Sequence, residues 1–179
     1  MADQKITQLT AYTLAASTDV LPIVDVTNSV TKKITTTDLA GDWAVCSGDS
    51  ITSLTLVNIA GMSIPLTSGT WVFEMLLSGA SSSTAGAKFG VQYSGTTTSV
   101  NATFSGQTST TAFGATARIT ALNTGSTTVG TVASAQITGW IFGQIVVTTS
   151  GNLTAQGLKV TSGTLTINAS SWMRAYRVA

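Results

Sequence analysis

The side chains able to do chemistry are few and poorly grouped. The sequence has 179 residues, no His, one Cys and seven carboxylates. Asp3, Asp19, Asp25, Asp38, Asp42 and Asp49 lie in the first 50 residues, so Glu74 is the one acid from residue 51 onward. A glycosidase uses two carboxylates flanking the scissile bond. A Ser/His/Asp or Cys/His relay uses an imidazole. Zinc sites draw on sets of Cys and His. Calcium sites need several oxygen donors, and Asp42 and Asp49 do not have the EF-hand spacing. No Gly-rich phosphate loop follows a strand pattern. The sequence therefore predicts a chain that is not an enzyme and holds no cofactor and no metal. Glu74, set among apolar residues, reads as a face-out or salt-bridged carboxylate. Cys46 has no intrachain partner and reads as a small buried apolar residue.

Binding chemistry is the remaining possibility. Arg174 and Arg177 are three apart, so strand alternation sends them to opposite faces. Lys32-Lys33 is a two-residue cluster in an acidic segment. Neither makes a basic stripe, so no nucleic-acid partner is expected. The apolar runs Trp71–Leu77 and Trp140–Val147 are too short to span a bilayer, and the N-terminus shows no apolar signal region; the expectation is a chain made in the cytoplasm with no membrane partner. Asn101, Asn152 and Asn168 fit the glycosylation pattern, which chance supplies readily in such a chain. The aromatic residues carry more weight. Trp71, Phe73, Trp140, Phe142, Trp172 and Tyr176 fall on strand patterns and read as core or subunit interface. Trp43 could anchor the N-terminal segment. Exposed aromatics can also stack on sugars, and Tyr93, Phe104 and Phe113 are the candidates for a glycan-binding tip.

These residues need strands to position them. Only 8% of residues are charged. The chain counts 34 Thr and 21 Ser, a composition that suits strands and turns and suits long helices badly. A neutral surface that poor in charge also fits burial against other copies. From residue 51 onward five positive charges face one negative, net +4; through Ser50 three Lys face six Asp, net −3. That shift divides the chain into a docking arm (1–41), a linker (42–50) and a body (51–179). In the arm, Val20–Val26 and Thr31–Thr36 read as a β-hairpin, with Pro22 demanding an edge. Thr37–Gly41 reads as a short helical turn. Ile6, Leu9, Tyr12 and Leu14 are sparse apolar points suited to docking in a neighbour's grooves. In the body, strand patterns cover Ile51–Ile59, Thr70–Ser78, Ala87–Tyr93, Ser99–Phe104, Ala115–Leu122, Ala135–Thr149, Asn152–Val160, Gly163–Asn168 and Ser171–Val178, with a bulge expected at Gly157. About eight strands without a 3.6-residue period predict an all-β antiparallel sandwich. The count matches a jelly roll; an immunoglobulin-like sandwich would lack its Cys…Trp…Cys signature.

The arm resembles the N-terminal segment of tailed-bacteriophage virion proteins. The matching residues are Lys5–Thr10, Asp19–Asp25, Thr31–Thr35 and Asp38-Leu39. The body is similar to a compact phage β-domain with a tumour-necrosis-factor-like jelly roll, through Gly69–Glu74, Lys88–Val91 and Gly163–Val178. The resemblance implies a virion structural protein, usually a homotrimer. It would sit on the outer surface of the capsid as a decoration (cement) protein or head fibre, or on the tail as a fibre or adaptor that can bind host glycans. The body follows the arm with no stalk, which favours the capsid. On this expectation the arm docks on the major capsid protein through Ile6, Leu9, Val20, Ile23, Val24, Lys32, Lys33 and Ile34.

Overall fold

The computed structural model describes residues 20–25, 30–35, 42–107, 112–126, 128–129 and 135–178. The chain divides into two compact units, Met1–Ala40 and Gly41–Ala179. In the first, β1 (Val20–Asp25) pairs antiparallel with β2 (Val30–Thr35), from Val20 opposite Thr35 to Asp25 opposite Val30. This is the hairpin expected from sequence, and a two-stranded sheet gives Pro22 its edge. Ile6, Leu9, Tyr12, Leu14, the turn at Thr27–Ser29 and the helical turn at Thr37–Gly41 lie outside the described residues.

The second unit is all-β and antiparallel, built from β3 (Asp42–Val45), β4 (Asp49–Ile51), β5 (Val57–Leu66), β6 (Gly69–Ser81), β7 (Ala87–Tyr93), β8 (Thr97–Gln107), β9 (Phe113–Ile119), β10 (Ala135–Val147), β11 (Gly151–Lys159), β12 (Leu165–Ile167) and β13 (Trp172–Arg177). One sheet has eight strands, in the order β3-β13-β6-β10-β8-β9 with β12 joining β4 to β6; the other is β5-β11-β7. The pairings nest: β3 with β13, β4 with β12, β5 with β11, β6 with β10, and β8 with β9 at the centre. The early half of the chain is thus a ribbon folded against the late half.

The core lies between the inward faces of the two sheets. Period-2 alternation buries Trp71, Phe73, Met75 and Leu77 from β6 and Ile137, Ile141 and Ile145 from β10. The small sheet meets them with Ile64, Phe89, Val91 and Leu153. Phe104 packs on Phe89 with ring centroids 6.0 Å apart.

Four sequence expectations need correction. Residues 42–50 are not a linker. Trp43 pairs with Arg174 and Ser50 with Thr166, so both halves of the segment extend the large sheet. The short runs DWAV and DSI had too little alternation to be recognised as strands. The strand expected over Ile51–Ile59 is interrupted between Ile51 and Val57, where the Ser53 hydroxyl donates to the Thr55 carbonyl at 2.7 Å and turns the chain. The bulge is not at Gly157, which stays in register with Val57 and Phe89. It lies on β5, where Ile59–Met62 loop past Ala155 alone. Gly61 makes that possible with φ +81°, and a Cβ there would stand 2.6 Å from the Val45 carbonyl. Finally, Tyr93 and Phe104 are not at an exposed tip. Both are buried, and the Tyr93 hydroxyl donates to the Thr149 carbonyl at 2.8 Å.

Burial raises the Tyr93 phenol above its ordinary value of 10.0. Burial also raises the Cys46 thiol above 9.0; the Gly48 N–H donating to its sulfur opposes this, and Asp49 adds to it. Both groups are held neutral by the fold. Their stabilising effect is full below the ordinary values and is lost as pH climbs past them towards the raised folded values. The expected outcome is a denaturation midpoint flat through neutral pH that falls above about pH 9–10. The Tyr93→Phe variant should lose part of that fall. A thiol reagent should modify Cys46 slowly in the native chain and at once in denaturant.

Candidate association surface

The outward face of the eight-stranded sheet carries the feature that distinguishes this body. Paired residues in antiparallel strands share a face, so the register fixes the neighbours. One row across the sheet runs Val45, Trp172, Leu76, Trp140, Ser105, Thr116. The next runs Trp43, Arg174, Glu74, Phe142, Thr103, Arg118. A third runs Tyr176, Val72, Gln144, Asn101. The half made by β3, β13, β6 and β10 is aromatic and aliphatic. The half made by β8 and β9 is hydroxyl, amide and one guanidinium.

Among the described residues, seven large hydrophobic side chains are exposed: Trp43, Val45, Leu54, Trp140, Phe142, Tyr176 and Val178. All but Leu54 stand on these strands or, for Val178, one residue beyond β13. Scattered exposed apolar residues are ordinary on a monomer, whereas a contiguous set marks a contact surface.

The aromatics are ordered among themselves. Trp43 and Trp172 have ring centroids 5.1 Å apart, and Trp140 meets Trp172 edge-on at 5.7 Å. The Arg174 guanidinium lies 5.5 Å from the Trp43 ring and 5.9 Å from Trp172. It also forms an ion pair with Glu74, its cross-strand neighbour. Glu74 is 8% exposed. The salt-bridged reading of this carboxylate is the arrangement found, and the pair leaves the apolar half of the face electrically neutral.

The asymmetry of the pair gives a test. Arg174→Ala strands a buried carboxylate and should cost about 1–3 kcal/mol in urea denaturation. Glu74→Gln should cost less, because the half-exposed Arg174 head can turn to water.

The six aromatic residues singled out from sequence separate cleanly. Trp71 and Phe73 face the core. Trp140, Phe142, Trp172 and Tyr176 face outward. Trp43 and Val45 were missed as members of this face because their strand was read as linker. Glu74 and Arg174 share it, while Arg177 pairs with Trp71 on the opposite alternation, as expected. Asp49 is occupied in the backbone: it accepts from Ala60 N at 2.9 Å and Ser50 N at 2.7 Å. No group of three or more His, Cys, Asp or Glu that could hold a metal occurs among the described residues. Val20, Ile23, Val24, Lys32, Lys33 and Ile34 lie on β1 and β2, where Ile23 pairs with Lys32 and Leu21 with Ile34. No protein-family model, curated protein or solved structure matches the chain.

Proposed function

We propose that this chain is a non-enzymatic structural protein of a phage virion, a homotrimer that decorates the capsid. In this reading the body associates with its copies through the apolar half of the eight-stranded face, and the arm docks on the major capsid protein. The observation that carries it is the ordered aromatic surface, with its Arg174–Glu74 pair already neutralised. Such a face needs no charge from a foreign partner and can be desolvated against another copy, and a net charge of +1 offers little repulsion between copies. The nested strand order supports a jelly-roll body of the tumour-necrosis-factor-like kind. The location on a virion is supported by the phrases at Lys5–Thr10 and Asp19–Asp25.

The arm supplies position. Among the described residues β1 and β2 each pair on one side only, so the backbone groups of the hairpin's outer edges can extend a neighbour's sheet. Three arms on one trimer rebind at high effective concentration, so weak individual contacts hold the assembly. Deleting residues 2–40 should leave a body that still associates but no longer binds particles. Gold-labelled antibody against the body, applied to intact virions, should mark the head. Label confined to the tail would move the protein to a fibre or adaptor there; no label on either part would overturn the virion role.

A further inference from the structure

The two ends of the outward face are unlike. Each row starts on β3 or β13 with a large apolar side chain and finishes on β8 or β9 with a hydroxyl, an amide or a guanidinium. A groove of about 220 Å³ opens where the apolar end gives way to the polar one, lined by Val72, Asn101, Thr103, Phe142 and Gln144. The Phe142 ring beside it is 51% exposed. Arg118 donates from Nε to Asn101 Oδ1 at 3.2 Å, which leaves Asn101 Nδ2 as a donor. The Gln144 amide and the Thr103 hydroxyl can each donate and accept. A group that drives water from this groove must therefore bring an apolar body and a polar tip, because buried amides left unpaired oppose the contact.

We propose that the Tyr176 side chain of a second copy fills this groove. The inference rests on the proposed three-copy association and deepens it. Three identical chains closed in a ring meet through two different patches, one projecting and one receiving. This face carries both. Trp43, Trp172 and Trp140 are held against one another, and Arg174 lies on two of their rings. Tyr176 stands outside that stack, 39% exposed. Its ring suits Phe142 and Val72. Its hydroxyl both donates and accepts, so it answers Gln144 and Asn101 where a purely apolar side chain would leave them unpaired. The register sets the height. Tyr176 shares its row with Val72, Gln144 and Asn101. A three-fold axis running along the strands brings the same row of neighbouring copies to one level. The apolar end of one copy's row then meets the polar end of the next copy's.

The test is chemical linkage one row away, where Tyr176 and the groove stay unaltered. Val178 lies beside Thr70, Thr70 pairs with Val146, and Val146 pairs with Ser99, so Val178 and Ser99 are the two ends of the adjoining row. Both are exposed. Full chains carrying Val178→Cys alone and Ser99→Cys alone are co-produced with different tags and treated with a short bis-maleimide. The expected product is a covalent pair holding one chain of each kind. Neither variant by itself should give a pair, and the unaltered chain, with Cys46 buried, should stay unlinked. Sedimentation runs alongside. Tyr176→Ala should weaken assembly on the order of 30–1,000-fold, and Tyr176→Phe about 2- to 10-fold. Thr103→Trp, which plugs the groove, should weaken it as Tyr176→Ala does. A trimer without mixed pairs, pairs within either variant alone, or full assembly of Tyr176→Ala would overturn the Tyr176 contact and leave the association of copies standing. A monomeric unaltered chain would overturn both.

Discussion

On the proposed association through the outward face, Trp140→Asp should leave folded 18.3 kDa protomers in place of the assembly. The side chain stands at mid-strand on the outward face, beside Leu76 and Ser105 and edge-on to Trp172. Its replacement removes a large aromatic contact and puts an unpaired charge on a surface that the proposed association would keep dry. Truncation of such anchors costs about 2–4 kcal/mol of association, on the order of 30–1,000-fold in the constant. The burial of an unpaired carboxylate adds to that. The fold itself should survive, because the inward neighbours Gly139 and Ile141 are untouched. Sedimentation reports the loss of assembly and near-ultraviolet dichroism the retained core. A variant that stays fully assembled would place the contact between copies elsewhere.

Phe104→Ala should be the most damaging single truncation in the body. The ring is fully buried, and two glycines leave it room: a Cβ at Gly106 would stand 2.6 Å from it and one at Gly139 2.8 Å. Phe89 closes the far side. Removing the ring opens a cavity that the flanking glycines cannot fill. Such changes cost about 3–5 kcal/mol out of a total near 5–15 kcal/mol. The melting temperature should fall by roughly 6–20 °C. Gly139→Val should be comparably harmful for the opposite reason, since the added side chain claims space the ring occupies. An unchanged midpoint for both would mean that this part of the sandwich is looser than drawn. The same burial explains why Phe104 and Tyr93 cannot serve as sugar platforms.

The sequence made the long strands readable because their two faces differ. β6 alternates Trp71, Phe73, Met75 and Leu77 against Thr70, Val72, Glu74 and Leu76, and β13 alternates Met173 and Ala175 against Trp172, Arg174 and Tyr176. The all-β character and the hairpin at β1 and β2 followed from such patterns. β10 was harder. Its inward residues run Ile137, Gly139, Ile141, Gly143, Ile145, and its outward ones include Trp140 and Phe142, so the whole reads as one apolar run. The signal that could have resolved it is the glycine at every second inward position, a mark of a neighbour pressing close; that neighbour is Phe104 at Gly139 and Ala102 at Gly143. β3 and β4 are too short to show a period. Their place in the sheet is decided by partners more than a hundred residues away, which local pattern cannot supply. The candidate association face was half legible for the same reason. Four of its aromatics had been singled out, but whether each faced inward or outward depended on register, and Trp43 became visible only through its pairing with Arg174.

The central claim is that copies of this chain cover the aromatic face, and the solution mass of the full chain tests it most directly. Sedimentation equilibrium at micromolar concentration should give three times the 18.3 kDa protomer, with Trp fluorescence blue-shifted relative to the Trp140→Asp variant. A clean 18.3 kDa monomer with its tryptophans accessible to an aqueous quencher would contradict it.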